Sequence, residues 1–137
     1  FDLFPAAEVK FSNGQGEWFS LFLVIDSGAA ISALPKSDAG AFGIAAEKGT
    51  PITVSGIDSK PISGWQHKLL VRLGTEAIQL PLVFLDHERA PRILGREGIF
   101  ERFMVIFEEK KRRSGFLKDA SAEARRVQKV LDTISTE

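Results

Sequence analysis

The sequence contains no cysteine among its 137 residues. That absence excludes thiol catalysis, disulfide bonds and cysteine-ligated metals. Histidine is scarce as well, and His67 and His87 are isolated residues that form no metal-binding pattern. Acidic and basic residues balance to a net charge of zero, so no general attraction to nucleic acid or to an acidic membrane surface is implied. No apolar run approaches the roughly 20 residues of a membrane span.

The composition is that of a soluble globular protein, with 44% apolar and 26% charged residues. A chain of this length suits one folded domain. Because it begins at Phe1 rather than methionine, we expect a fragment or a processed form of a longer protein, from which a signal or anchor could have been removed. The localisation is therefore left open.

The most informative stretch runs from Leu21 to Ala30. Five apolar residues, Leu21 to Ile25, lead without a break into Asp26, and Ser27-Gly28 follows as a turn. Their aromatic and β-branched side chains, and the abrupt stop, predict a buried strand rather than a helix. The pattern thus places a carboxylate at the mouth of a buried strand, where a charge needs a partner or a purpose.

Most of the remaining chain alternates polar and apolar residues between turn signals, which predicts a mainly β fold built from antiparallel hairpins. About seven or eight strands are expected in all. Pro81, in the middle of one predicted strand, favours an edge position or a bulge there. The predicted strands with the clearest patterns are Glu8 to Phe11, Trp18 to Ile25, Pro51 to Ile57, Ile62 to Leu73 and Ala77 to Leu85.

Two helices are predicted. Residues Arg96 to Phe103 have helical spacing of their apolar side chains, so one short helix is expected directly after Gly95. The tail from Asp119 is expected to be the second helix, with Ser121 near its start. Its apolar residues form a stripe with a period of 3.6 residues, made of Val127, Val130, Leu131 and Ile134.

Asp26 is the first candidate for catalysis. A lone carboxylate is a poor catalyst of peptide hydrolysis, whereas two carboxylates a few ångströms apart share one proton and can activate water and polarise a carbonyl together. Asp26 is the one aspartate in this chain that stands in the right kind of turn, Asp26-Ser27-Gly28, directly after an apolar run. A second carboxylate would therefore come from another copy of the chain across a two-fold axis.

The segment Leu23-Val24-Ile25-Asp26-Ser27-Gly28-Ala29 resembles the active-site motif of the retropepsin-like aspartic proteases, and the chain looks like a single-lobe, non-viral member. About seventy residues later, Ile93-Leu94-Gly95-Arg96 is similar to the second signature of that family. The resemblance covers about residues 8 to 117. It implies a small closed β-barrel with a flap hairpin, in a protease domain of residues 1–118 followed by a helical extension of residues 119–137.

The resemblance also implies roles for individual residues. Asp26 would be the catalytic aspartate of a homodimer that hydrolyses polypeptides, without a metal or an organic cofactor. Ser27, Gly28 and Ala29 would form the active-site loop, and Gly56, Ile57 and Asp58 would lie in the flap. Ile93 would line the pocket, and Gly95 and Arg96 would pack beneath the loop.

Two departures from the family pattern are visible. Ala30 stands where many viral members carry an acid that pairs with the arginine after the second glycine, so Arg96 needs another partner, such as Glu97, Asp38 or backbone carbonyls. The helical tail is also additional, so the dimer interface could differ. Asp-Ser-Gly alone is a common turn, and Trp65 suits a flap aromatic or a half-buried sheet residue equally well. The alternative function is an inactive module of the same fold that binds peptides or dimerises.

Overall fold

The structure, a computed structural model, describes residues 4–55 and 60–135. Its described part is mainly β, with two short 3-10 helices (Lys36–Phe42 and Ala46–Lys48) and one α-helix, α1 (Ala122–Ile134). The strands of this part are β1 (Ala6–Ser12), β2 (Trp18–Ile25), β3 (Ser32–Pro35), β4 (Thr50–Ser55), β5 (Pro61–Leu73), β6 (Glu76–Leu85), β7 (Ile93–Leu94), β8 (Phe103–Glu108) and β9 (Arg113–Lys118).

Seven strands form one sheet in the order β1-β2-β7-β3-β6-β5-β4, and a further pairing of β1 with β5 closes it into a ring. The closure joins Lys10 to Arg72 and Phe11 to Val71. Strand β4 lies outside the ring and pairs only with β5 among these strands, while β8 and β9 form a separate two-stranded sheet.

The core fills the space that the ring encloses. Inward residues alternate along β1 and the end of β2, so that Val9, Phe11, Leu23 and Ile25 are buried. Phe42, from the first 3-10 helix, stacks on Phe11 with 4.9 Å between ring centroids. Each fully buried side chain of this size contributes roughly 1.5–3 kcal/mol to folding. The apolar alternation that predicted the strands is thus also what holds the ring together.

The long strand β5 pairs with two neighbours along different parts of its length. Its first residues, Pro61 to Gln66, pair with β4, and the stretch from Gly64 to Leu73 pairs with β6. The β4–β5 hairpin therefore projects beyond the ring at the end where its strands meet. Trp65 is a half-buried residue of β5, and the Lys36 ammonium lies 5.2 Å from the centre of its ring.

Pro81 lies where β6 has a partner on one side. It faces Lys68 of β5, while the pairing of β6 with β3 begins one residue later, at Leu82. A proline has no N–H to give to a ladder, so this locally open edge is the position that it tolerates. The predicted edge position of Pro81 is confirmed in this local sense.

The prediction of a short helix directly after Gly95 is wrong. Residues 97–102 form successive turns, in which the N–H of Phe100 donates to the carbonyl of Arg96 at 2.9 Å and that of Phe103 to Ile99 at 2.9 Å. Gly98 adopts φ +83°, which is left-handed and incompatible with a continuing right-handed helix. The apolar residues of this segment therefore lie on successive turns and not on a continuous helix.

Helix α1 begins where the sequence predicts. The hydroxyl oxygen of Ser121 caps it by accepting the N–H of Ala124 at 3.1 Å. Ala124 is the buried residue of this helix. The apolar stripe towards its end lies at the surface, with Val130, Leu131 and Ile134 exposed. Within residues 4–55 and 60–135, no helix has the length and apolarity needed to cross a membrane.

Candidate active site

The Asp26 loop connects two strands that are separated in the sheet by a third. Strand β7 lies between β2 and β3, parallel to β2 and antiparallel to β3. Ile93 faces Val24 on one side and Ala33 on the other. The chain must therefore pass over the end of β7 between Ile25 and Ser32, and Asp26 lies at the start of that crossing.

Backbone hydrogen bonds fix the start of the loop. The N–H of Asp26 donates to the carbonyl of Leu94 at 3.0 Å, which extends the β2–β7 ladder by one residue. The carbonyl of Asp26 accepts the N–H of Ala29 at 3.2 Å, which closes the Asp26-Ser27-Gly28-Ala29 turn. Asp26 is thus held by the sheet on one side and by its own turn on the other.

Asp26 is a half-buried residue, and the Oδ1 of its carboxylate accepts the N–H of Gly28 at 2.9 Å. This is the local side-chain bond by which aspartate favours turns. A Cβ on Gly28 would lie 3.2 Å from the same Oδ1, so glycine leaves room for this approach. Ser27 and Gly28 are both exposed, which makes the loop a surface from which the carboxylate can be reached.

Gly95 packs directly beneath the loop. A Cβ at this position would lie 2.5 Å from the carbonyl carbon of Ile31 and 2.9 Å from the amide nitrogen of Ser32. Both are backbone atoms, which cannot move aside as the end of a side chain can. The close approach of β7 to β3 therefore requires glycine at this position.

Ser32, which the sequence did not single out, completes that contact. It is fully buried, and its Oγ accepts the N–H of Gly95 at 2.9 Å. A buried backbone N–H without an acceptor is costly, so this hydroxyl satisfies the one group that the tight packing would otherwise isolate. The signal in the sequence was a single serine within the apolar piece Ile31 to Leu34, which is an unusual place for a polar side chain.

Arg96 is attached to the loop through its backbone. Its N–H donates to the carbonyl of Ala29 at 3.0 Å, and the N–H of Glu97 donates to that of Ala30 at 2.9 Å. The side chain of Arg96 is exposed and makes no ion pair within the part of the chain that the structure describes. Asp38, one of the partners expected for this side chain, binds another arginine, and the bond to a backbone carbonyl is made by the amide of Arg96 and not by its guanidinium.

That arginine is Arg92, whose guanidinium donates to Asp38 from two of its three nitrogens, Nε to Oδ2 at 2.8 Å and Nη2 to Oδ1 at 2.9 Å. The hydrogen bond to Asp38 raises the pKa of Arg92 above its usual value. The carbonyl of Arg92 also accepts the N–H of Val24 at 2.9 Å. The pair therefore ties the segment before β7 to the first 3-10 helix, just below the Asp26 strand.

The β4–β5 hairpin stem meets the end of the Asp26 loop in a small second core. Ile52, Val54 and Ile62 of the stem pack against a cluster of Ala33, Val83 and Leu85, and so does Ile31, which ends the loop. The predicted flap residues Gly56, Ile57 and Asp58 lie outside the described residues. The structure thus brings seven of the predicted residues close together around the Asp26 loop: Asp26, Ser27, Gly28, Ala29, Ile93, Gly95 and Arg96.

The described residues contain no group of three or more histidine, aspartate or glutamate side chains able to hold a metal ion. Asp26 also has no second carboxylate bonded to it within residues 4–55 and 60–135. The chemistry of this site in one chain is therefore that of a single accessible carboxylate on a tightly braced loop.

Comparison with known proteins points to one fold. No family model matches the chain, and no curated protein matches it. Among solved structures, EIAV protease complexed with the inhibitor HBY-793 superimposes with a TM-score of 0.51 and 18% sequence identity, over 68% of this chain and 82% of that one. At this identity the likeness concerns the fold alone. The chain therefore has a mainly β fold similar to that of a retroviral protease.

Proposed function

We propose that this protein is an aspartic endopeptidase that works as a homodimer, with one Asp26 from each copy forming the catalytic pair. The observation that carries the proposal is the position of Asp26: a half-buried residue, at the mouth of β2, on a loop held from below by β7. The likeness to the fold of EIAV protease supports the same reading. The ring of strands would then be the small closed barrel of that fold.

The proposed reaction uses the two carboxylates in different protonation states. Like charges a few ångströms apart cannot both ionise, so the pair holds one proton. The ionised member takes a proton from water, the water oxygen attacks the peptide carbonyl carbon, and the protonated member donates to the carbonyl oxygen. As the carbon–nitrogen bond breaks, the leaving amine takes the proton that came from water, and a hydroxyl of the tetrahedral diol returns a proton to the other carboxylate as the carboxylic acid product forms. The pair again holds one proton, and no covalent enzyme intermediate forms.

The residues around Asp26 would hold the pair rather than react. The bond from the Gly28 N–H to Oδ1 orients each carboxylate, and the exposed hydroxyl of Ser27 would brace the two loops against each other across the two-fold axis. The carbonyl oxygen of Gly28 would accept a hydrogen bond from the peptide, while Ile93 would line the pocket. Gly95 and Arg96 fasten the loop from beneath through the contacts described above.

The β4–β5 hairpin would act as the flap. Its stem packs against the same small core as Ile31 at the end of the Asp26 loop, so the hairpin and the loop are neighbours. A peptide in extended form could add to the hairpin by strand pairing, and closure would exclude water from the reacting bond. Gly56, Ile57 and Asp58 would form the part that covers the substrate.

The test compares Asp26→Asn with the wild type in cleavage of a peptide library from acidic to neutral pH, with sedimentation of the same samples. We expect a dimer that cleaves peptides and a variant dimer with no measurable cleavage. Asp132→Asn, which makes the same chemical change on the exposed side of α1, should cleave like the wild type. A dimeric wild type that cleaves nothing would favour a binding or dimerisation module, and cleavage by the variant would refute the role of Asp26.

A further inference from the structure

Strand β9 has one edge that no other described strand covers. The N–H of Asp119 donates to the carbonyl of Arg102 at 3.0 Å, just beyond the paired residues of the β8–β9 hairpin. Hydrogen-bonded residues alternate along an antiparallel strand, so Ser114, Phe116 and Lys118 turn their backbone groups away from β8. Within residues 4–55 and 60–135, none of these three N–H groups has an acceptor.

The first half of β1 has an open edge for the same reason. The N–H of Ile25 donates to the carbonyl of Pro5 at 2.8 Å, so the odd-numbered residues of β1 bond to β2 and the even-numbered ones face the opposite edge. On that edge Lys10 pairs with β5, but the pairing does not extend to the start of β1. Ala6 and Glu8 therefore have no neighbouring strand on this side in the described part of the chain.

The two open edges border one cavity of about 650 Å³. Ala6 and Glu8 line it from β1, and Ser114, Phe116 and Lys118 line it from β9. We call this cavity, with its two edges, the edge groove. Each residue that turns its backbone away from β2 or β8 at these edges is thus a wall residue of the groove. Unpaired N–H and C=O groups at a strand edge are a template for pairing with another extended chain.

We propose that the edge groove binds an extended, basic segment of another polypeptide by strand addition to β9. The edge from Ser114 to Lys118 is roughly 13 Å long at about 3.3 Å per residue, which suits about five residues of such a segment. In this mode of recognition, backbone pairing supplies affinity and alternate side chains supply specificity. The residues that line the groove all lie outside the Asp26 loop, so the proposal goes beyond the proposed function and does not depend on it.

The floor of the groove is apolar, which decides every second side chain of the segment. Leu73 and Phe103 line the groove and are each 6% exposed. The ring of Phe116 meets that of Phe103 edge-on, with 6.1 Å between centroids. Successive side chains of an extended segment point to opposite faces, so every second one would face this floor. Valine, which favours the extended backbone, suits those positions.

The rim of the groove is acidic, which decides the side chains between. Glu8, Glu76 and Glu123 line the groove together with one base, Lys118. Lys118 pairs with Glu76 at 3.5 Å. The exposed carboxylates of Glu8 and Glu123 have no ion pair among the described residues. Lysine or arginine on the outward side of the segment would complement them, whereas an acidic segment would be repelled.

The test titrates the full chain carrying Asp26→Asn with the capped peptide Lys-Val-Lys-Val-Lys, so that cleavage cannot consume the probe. Fluorescence anisotropy of a labelled peptide gives the dissociation constant, and NMR spectra of the protein show which amides respond. We expect saturable binding that shifts the amides of Glu8, Ser114 and Phe116. The same peptide with both valines N-methylated lacks two backbone donors and should bind at least about tenfold more weakly. Glu-Val-Glu-Val-Glu should also bind at least about tenfold more weakly.

Variants of the protein test the two walls and the rim. Ser114→Pro removes an outward N–H without removing a bond of the β8–β9 ladder, which is the edge position that proline tolerates. It should weaken binding of the lysine peptide about three- to tenfold. Glu8→Gln combined with Glu123→Gln should weaken it about two- to tenfold. The matched control is Glu88→Gln, an exposed carboxylate in the loop after β6, which should bind within about twofold of the unsubstituted groove.

Several results would overturn the proposal. Absence of binding up to about 1 mM lysine peptide would do so, as would equal affinity for the N-methylated peptide or for the glutamate peptide. If thermal unfolding shows that Ser114→Pro does not fold, the N-methylated peptide and the double glutamine variant decide. Self-association in sedimentation that Ser114→Pro abolishes would show that another copy of this chain fills the groove, which contradicts the proposal.

The groove and the activity can fail separately. If the lysine peptide binds the groove but the wild type cleaves no peptide, the groove stands and the proposed function is wrong. If the wild type cleaves peptides while the lysine peptide shifts no amide of β1 or β9, the protease stands and the groove proposal is wrong.

Discussion

Replacing Gly95 by alanine would push a methyl group into the backbone of the strand beside it. The added carbon would lie 2.5 Å from the carbonyl carbon of Ile31, 2.6 Å from its oxygen and 2.9 Å from the nitrogen of Ser32. All three distances are shorter than a carbon can occupy without movement. Either β7 must leave the gap between β2 and β3, or the end of the Asp26 loop must rise.

The size of the effect follows from that geometry. Overpacking in a closely packed interior costs about 1–3 kcal/mol, and more where rigid backbone has to move. A strained hydrogen bond between the Gly95 N–H and Ser32 would add to this cost. Alanine also has less conformational entropy than glycine in the unfolded chain, and this offsets about 0.4–1 kcal/mol of the lost stability. We expect a net loss of roughly 2–3 kcal/mol, or a melting temperature about 7–12 °C lower for a chain of this size.

The assay is urea unfolding followed by circular dichroism, with Gly115→Ala as the control. Gly115 is also a strand glycine, but a Cβ there meets no atom within 4 Å. The control should remain within about 0.5 kcal/mol of the wild type, or gain slightly. If Gly95→Ala unfolds at the same urea concentration as Gly115→Ala, the close approach beneath the Asp26 loop is not a feature of the folded protein.

Three further predictions concern hydrogen bonds and ion pairs around the ring. Ser32→Ala leaves the buried N–H of Gly95 without its acceptor, so urea unfolding should show a loss of about 1–3 kcal/mol. Asp38→Asn breaks the bidentate contact with Arg92; because the Asp38 side chain is only 12% exposed but that of Arg92 is 43% exposed, the loss should be about 1 kcal/mol, the upper end for an exposed pair. The hydrogen bond from Lys36 lowers the pKa of Glu47 from its usual 4.5, so the stability from this pair is present above that pH and disappears as the pH falls through the lowered value. A melting-temperature profile from pH 3 to 7 should therefore fall less steeply in Glu47→Gln.

Each of these predictions has its own contradicting result. A Ser32→Ala protein within about 0.5 kcal/mol of the wild type would mean that another group satisfies the N–H. The pair of Arg113 with Glu108 is the control for Asp38, because both of its side chains are exposed. Glu108→Gln should change the free energy of unfolding by less than about 0.5 kcal/mol. An equal loss in Asp38→Asn and Glu108→Gln would show that the Asp38 pair is no stronger than an exposed pair. Identical melting-temperature profiles for the wild type and Glu47→Gln would show that the pair of Lys36 with Glu47 does not contribute to the pH dependence.

Local patterns predicted the parts of this fold whose cause is local. Five apolar residues before Asp26 predicted a buried strand, and the strand forms, but only its inward side chains Leu23 and Ile25 are buried, while Phe22 is 51% exposed. Ser121 capped α1 because its hydroxyl needs only an N–H three residues later. The position of Ile93 and Gly95 next to the Asp26 loop was implied by the family resemblance and not by a local pattern, and the structure has both residues there.

Contacts between distant residues could not be predicted in the same way. Ser32 and Gly95 are 63 residues apart, and Asp38 and Arg92 are 54 apart. Their pairing depends on the position of β7 between β2 and β3, and a local sequence pattern does not show how distant strands are ordered in a sheet. The missing helix after Gly95 has a different reason: apolar spacing reports which side chains face the core, but not that Gly98 has a left-handed backbone.

The most direct test of the central claim is a subunit-mixing experiment between wild type and Asp26→Asn. If Asp26 acts only as half of a pair, equal amounts that exchange at random leave about one quarter of the dimers with two aspartates. Cleavage by a fixed amount of wild type should then fall to about one half, and to about one quarter with a threefold excess of the variant. Cleavage that stays constant as the variant is added would show that each Asp26 works alone and would contradict the account.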